Sequence, residues 1–135
     1  MKAIKITTDN EMSVVEVPEP HWEGMGELVG GNFEPVRAYG FMNLDVPNKE
    51  SLLMVVNEEG QRLELDVNQV ASELYNSNKP KFYWNIAGDI LIMAEGFTNG
   101  EPDVVGLDDE QLIIVMIALK GKFDYPMEVI EDETN

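Results

Sequence analysis

Cysteine is absent from the 135 residues, and histidine occurs once, at His21. Without cysteine the chain has no disulfide framework, no thiolate zinc site and no cysteine nucleophile. Basic residues are scarce: nine lysines and arginines stand against 26 aspartates and glutamates, so the formal net charge is −17. Because no basic cluster exists and most of the surface would repel phosphate, we expect no direct binding to nucleic acid.

Long hydrophobic runs are also missing. The longest apolar run, from Leu112 to Leu119, is far shorter than the roughly 18 residues that span a bilayer. The N-terminal segment from Met1 to Ile6 lacks the apolar core of a signal peptide. We therefore expect a cytoplasmic protein that does not enter a membrane. Hydrophobic residues still make up 44% of the chain, which favours a folded core over disorder.

Several segments have the patterns of β-strands. Ile4 and Ile6 alternate with polar residues, which predicts a strand with one buried face, and Ser13 to Val17 reads as its hairpin partner. The continuous apolar run from Leu52 to Val56 is typical of a central strand. A turn at Gly60 predicts a hairpin, with Arg62 to Leu65 as the returning strand.

Three helices are predicted between these strands. The first covers His21 to Val29 and ends at Gly30-Gly31, as a C-terminal cap would. The second begins at Asp66, whose spacing to Gln69 is that of a capping box. The third is capped by Asp108 and Gln111, runs through Leu112 to Lys120 and ends at Gly121.

The fold class predicted from these elements is α+β, with a mixed or mainly antiparallel sheet and two to three helices packed on it. We expect one domain over residues 1–123, followed by an acidic tail over residues 124–135. In that tail Met127, Val129 and Ile130 would form an edge strand, and we expect disorder beyond it. The glycines and proline between Gly96 and Gly106 predict a loop.

The strand from Ile90 to Ala94 and the helix from Leu112 to Leu119 are the most strongly patterned part of the chain. The helix is apolar on every side, so either its own domain or a second copy must cover it. In the second case the protein is a homodimer. The candidate residues for that interface are Leu112, Ile113, Val115 and Met116.

Catalytic and metal-binding patterns are missing. His21 has no triad or metal-ligand spacing around it, which favours a surface or capping role. The run Asp108-Asp109-Glu110 does not match a calcium loop and is better explained as a helix cap. The glycines from Gly24 to Gly31 lack the residues of a phosphate loop. We therefore expect a protein that is not an enzyme, with no cofactor and no metal.

One segment suggests a ligand site. Phe82, Tyr83 and Trp84 follow Lys81, and aromatic side chains beside a basic residue can stack on nucleotide bases. A half-buried strand explains the same pattern. An aromatic-lined site for a small ligand or nucleotide is thus the alternative function.

The acidic surplus indicates a different kind of partner. Carboxylates held on a rigid fold can imitate the phosphates of DNA and occupy the basic cleft of a protein that handles nucleic acid. We therefore expect an inhibitor or regulator that engages a basic protein. The candidate partner-binding acids are Glu58, Glu59, Asp108, Asp109, Glu110, Glu131, Asp132 and Glu133.

A group of short segments resembles a known family. They occur in this order: 28–34 (Leu-Val-Gly-Gly-Asn-Phe-Glu), 56–60 (Val-Asn-Glu-Glu-Gly), 65–69 (Leu-Asp-Val-Asn-Gln), 86–89 (Ile-Ala-Gly-Asp) and 106–111 (Gly-Leu-Asp-Asp-Glu-Gln). In this order they resemble the domain-of-unknown-function family DUF3846 over residues 1–120. The resemblance implies a small protein of the kind that bacteriophages, plasmids and other mobile elements frequently encode. It implies no catalytic residue, because the family has no assigned activity.

Overall fold

An antiparallel β-sheet is the frame onto which the helices pack. The computed structural model describes residues 1–76 and 85–122, and the backbone of residues 128–129. The strands are β1 (Lys2–Ile6), β2 (Glu11–Glu16), β3 (Phe33–Arg37), β4 (Leu52–Asn57), β5 (Ile90–Thr98), β6 (Glu101–Val105) and β7 (Glu128–Val129). The helices are α1 (His21–Val29), α2 (Gln69–Asn76) and α3 (Asp109–Lys122), with 3-10 helices at Tyr39–Asn43 and Lys49–Ser51.

The strands follow the order β3-β4-β5-β1-β2-β7, and β6 pairs with the distal part of β5. All neighbouring pairs are antiparallel except β2 and β7, which are parallel. The predicted α+β class, with a mainly antiparallel sheet and three helices, is confirmed.

Two apolar layers cover the two faces of the sheet. One face carries Ile4, Met54 and Ile92, which pack with α2, α3 and the 3-10 helix at Tyr39–Asn43. The other carries Val55 and Met93, which pack with α1. Because β4 and the first half of β5 are covered on both faces, their residues are apolar without alternation, as the run from Leu52 to Val56 predicts.

Two helix ends lie where the local sequence predicts them: the C-terminal end of α1 and the N-terminal end of α3. α1 ends at Gly30, which has a left-handed φ of 87° and whose N–H donates to the Gly26 oxygen. Asp108 Oδ1 accepts from Gln111 N at 2.8 Å, and Gln111 Oε1 accepts from Asp108 N at 3.1 Å, so the predicted capping box is formed. The predicted stop at Gly121 is wrong, because α3 continues to Lys122.

Two other local predictions, of a loop and of a strand, are wrong. The predicted loop from Gly96 to Gly106 contains the second half of β5 and all of β6. The predicted strand Arg62 to Leu65 is a series of turns. Gly60 is required there for space and not for a positive φ, because a Cβ at this position would lie 2.5 Å from the Ala87 oxygen.

Asn68, and not Asp66, caps the second helix. Its Oδ1 accepts from Ala71 N at 3.0 Å, in the geometry of an N-cap. Its Nδ2 donates to the carbonyls of Ile6 and Gly88, each at 3.0 Å. The fully buried amide therefore joins α2 to the end of β1 and to the segment before β5.

The acidic tail is described only in part. Glu128–Val129 pairs in parallel with β2 at Glu11 and Met12 and forms the last strand of the sheet. The predicted disorder beyond Ile130 falls outside the described residues.

Replacing Asn68 by alanine tests this buried junction. We expect Asn68→Ala to lower the free energy of unfolding by roughly 2–4 kcal/mol, because two buried carbonyls lose their donor and the helix loses its cap. Urea unfolding measures the change. The control Gln69→Ala alters the next, exposed side chain and should stay within about 0.5 kcal/mol of the parent. Equal effects of the two substitutions would contradict this account.

Candidate functional site

The predicted acidic clusters lie at opposite ends of the sheet. β1 and β4 run in the same direction, since both are antiparallel to β5. Glu58 follows the end of β4, whereas Asp108 follows Leu107, whose N–H donates to the Lys2 oxygen at the start of β1. The described acids named above therefore do not form one continuous face. Three further candidates, Glu131, Asp132 and Glu133, lie outside the described residues.

The acids at the start of α3 are partly engaged by their own chain. Asp108 caps the helix, and Asp109 lies 3.9 Å from Lys2 Nζ. Asp109 and Glu110 also lie in the first turn of α3, where carboxylates stabilise the positive end of the helix dipole. Glu110 is exposed and forms no ion pair within the described residues, so it is the acid of this cluster with the fewest contacts to its own chain.

The segment 58–67 that follows β4 contains four acids, one base and three large apolar residues, and we call it the acidic loop. Its backbone folds on itself, since Leu63 N donates to the Glu59 oxygen and Leu65 N to the Gly60 oxygen. Glu59 pairs with Arg62, the only basic residue in the loop. The exposed side chains of the acidic loop include three acids and three apolar residues: Glu58, Glu64, Asp66, Leu63, Leu65 and Val67.

The acidic loop is anchored at its far end. Gly88 N donates to the Asp66 oxygen at 2.8 Å, and Val67 forms an isolated bridge with Ala87. The backbone is thus held while the side chains face solvent. A fixed backbone lowers the entropy cost of binding a partner.

Residues of α3 divide between the core and the surface. Leu112 and Val115 are buried in the core of their own chain, so they are not available to a second copy. Met116 is partly buried. Ile113 is 61% exposed, and Ile117, which the sequence analysis did not single out, is 67% exposed.

A His–Asp pair joins α1 to β6, and sequence reasoning missed it. His21 Nε2 lies 3.1 Å and 3.0 Å from the two carboxylate oxygens of Asp103. His21 Nδ1 lies 4.0 Å from Glu19. Two other donors reach Asp103: Thr98 Oγ1 and the N–H of Val104, each at 2.8 Å. The side chain of Asp103 is only 6% exposed.

Burial by itself would raise the pKa of Asp103. The hydrogen bonds from His21, Thr98 and Val104, with the charge of His21, outweigh it and lower the pKa below the ordinary value. The carboxylate is therefore ionised, and His21 Nε2–H is the donor.

An open groove of about 470 Å³ lies beside this pair. Trp22, half-exposed, forms one wall and stacks on Phe33 with ring centroids 5.7 Å apart. Arg37 lines the groove, but it already donates to Glu95 and to the Glu50 oxygen, both at 2.6 Å. The remaining lining is mostly apolar: Pro35, Leu53, Pro102 and Val104.

The aromatic segment predicted as a ligand site, Lys81, Phe82, Tyr83 and Trp84, lies outside the described residues. Among the described residues, no group of three or more acids and histidines is arranged to hold a metal ion. In the same part of the chain, no helix is both long and apolar enough to cross a membrane.

The fold and these surfaces define a small α+β domain with an acidic exterior. The chain belongs to the family described as Domain of unknown function (DUF3846), which it matches over residues 1–123. The predicted resemblance is thereby confirmed. No curated protein matches the chain, and neither does any solved structure.

The buried Asp103 carboxylate should make stability depend on pH. Its pKa is lowered in the folded state, so its contribution is complete above the unfolded value of about 3.9 and is lost as the pH falls through the folded value. We expect Asp103→Asn to destabilise the protein near neutral pH by roughly 1.5–3 kcal/mol. The difference from the parent should shrink as the pH falls below about 4.

Urea unfolding across this pH range measures the effect. The matched control is Glu101→Gln, which removes an exposed carboxylate two residues away in the same strand. A parent–Asp103→Asn difference that stays constant from neutral pH down to acid would contradict the assignment.

Proposed function

We propose that the protein is a non-enzymatic binding protein that engages a basic protein through the acidic loop. The observation that carries the proposal is the exposed surface of the loop. There the apolar side chains of Leu63, Leu65 and Val67 are exposed beside exposed acids of the same loop. Apolar side chains supply most of the binding energy in protein interfaces, while the charged rim selects the partner.

The charge of the whole chain supports a basic partner. At −17 the field of the molecule attracts a cationic surface from a distance and speeds association. The same field repels nucleic acid, so the proposal includes no direct binding to DNA or RNA.

A basic cleft that normally holds nucleic acid is the surface that best fits such a ligand. Carboxylates replace phosphates there, and the protein acts as an inhibitor or regulator in the manner of a DNA mimic. We propose that this role is cytoplasmic and belongs to a protein of phage or mobile-element type, the type that the family resemblance implies.

Capture from a bacterial lysate at low and high salt tests the proposal. We expect the immobilised protein to retain a basic protein at low salt and to lose most of it at high salt, because salt screens the attraction. Added duplex DNA should also release the partner, since both ligands compete for one cleft. Glu58→Lys with Glu64→Lys should weaken retention at least tenfold.

The control exchanges two exposed acids on α1, Glu23→Lys with Glu27→Lys, and changes the net charge equally. It should weaken retention much less, because Glu23 and Glu27 do not belong to the acidic loop. Equal losses in both double variants would show general charge attraction and remove the acidic loop from the proposal. Retention that ignores salt would overturn the electrostatic account.

The groove beside Trp22 supports the second candidate function, a binder of a small ligand. Its apolar lining and half-exposed indole suit an aromatic molecule, although Glu95 and Asp103 disfavour phosphate groups. Thermal-shift screening with nucleotides, nucleosides and uncharged aromatic compounds tests this candidate. A ligand at 100 times its Kd should add about 2.7 kcal/mol of stability, and Trp22→Ala should abolish that gain. A flat result across all compounds would remove the candidate.

A further inference from the structure

The outward surface of α3 carries four exposed residues in one stripe. Glu110, Ile113, Ile117 and Lys120 are all exposed. At about 100° per residue they fall within about 80° of the helix circumference. We call this set the α3 stripe. It lies opposite the buried residues Leu112, Val115 and Leu119, which attach the helix to its own core.

The order of residues along the α3 stripe makes it complementary to itself. One acid precedes two isoleucines, and one base follows them. Positions 110 and 120 are equally far from position 115, as are positions 113 and 117. A two-fold axis at the height of position 115 would therefore set Glu110 against the partner's Lys120 and Ile113 against the partner's Ile117.

We propose that the α3 stripe is the interface of a homodimer in which two α3 helices pack antiparallel. The charge pattern selects a second copy as the occupant, because each end of the stripe presents the sign that the other end requires. Within the described part of the chain, the structure gives neither Glu110 nor Lys120 an ion pair of its own.

The crossing angle follows from the same geometry. Glu110 and Lys120 are each five residues from position 115, so each lies about 7.5 Å from the two-fold axis, measured along the helix. A shallow crossing of about 20° keeps both charge pairs within reach, whereas a crossing of about 50° moves them apart. The two helices therefore pack in the shallow class.

The surface beside the α3 stripe has room for the partner. A groove of about 550 Å³ runs between the helix and the Asn43–Asp45 segment, and Ile114, Ile117 and Ala118 line it. Met42 is exposed close by in the chain. One helix and its margins form a small interface, typical of a reversible dimer.

This inference does not depend on the proposed basic partner, because the acidic loop takes no part in the dimer. Substitutions in the acidic loop should leave self-association unchanged, and substitutions in the α3 stripe should not abolish capture of the partner. Failure of one proposal can thus be recognised without the other.

Sedimentation velocity over micromolar to millimolar concentrations tests the dimer. We expect the parent to show a reversible monomer–dimer equilibrium. Ile117→Asp should raise the dissociation constant at least tenfold. The control Phe97→Asp introduces the same charge at an exposed apolar residue of β5 and should leave the equilibrium near that of the parent.

Charge exchange tests the antiparallel arrangement. Glu110→Lys sets two lysines opposite each other at both ends of the dimer, and Lys120→Glu sets two acids there. For each variant alone, the dissociation constant of the dimer should rise at least tenfold. Mixed in equal amounts, the two variants should associate with each other, because both contacts again join opposite charges.

Circular dichroism should show the parent spectrum in every variant, since all the changed residues are exposed. Three results would overturn the inference: a parent that stays monomeric at the highest concentration, an Ile117→Asp variant that associates like the parent, or charge variants that fail to associate when mixed.

Discussion

The pairing of β5 on both edges is the constraint on which the rest of the structure depends. Its first half joins β4 on one side and β1 on the other, and its second half holds β6. From Ile90 to Ala94 its side chains are buried on both faces. The apolar side chains on one face of the sheet are covered by α2 and α3, and those on the other face are covered by α1. Apolar burial on two sides supplies the main stabilisation of such a sheet.

Charge repulsion acts against this core and helps to explain where the acids lie. Three of the few basic residues form ion pairs with segments distant in the sequence: Lys2 with Asp109, Lys5 with Asp89 and Arg37 with Glu95. Exposed pairs of this kind contribute little to stability, so the apolar layers must outweigh the repulsion of a net −17. The acids at the two ends of the sheet remain in water, where carboxylates keep their hydration.

The surfaces with functional potential lie on different parts of this frame. The acidic loop leaves the sheet at the end of β4, the groove beside Trp22 lies on the face covered by α1, and the α3 stripe faces outward from the opposite layer. His21 and Asp103 tie α1 to β6 next to the groove. Because these surfaces are separate, the proposed partner binding and the proposed self-association would not compete with each other.

The sequence by itself determined the features that depend on near neighbours. The alternation of Ile4 and Ile6, the apolar run of β4, the Gly30 stop and the Asp108–Gln111 cap are all set by residues within a few positions, and each is formed as predicted. Tertiary structure decided what depends on distant segments. Pairing with β5 makes a strand of 101–105 despite Pro102, and Asn68 becomes a cap because its amide reaches Ile6 and Gly88. His21 meets Asp103 across 82 positions, and Ile113 is exposed because α3 packs on one side only. No local pattern encodes these contacts, since they arise from the order of strands in the sheet.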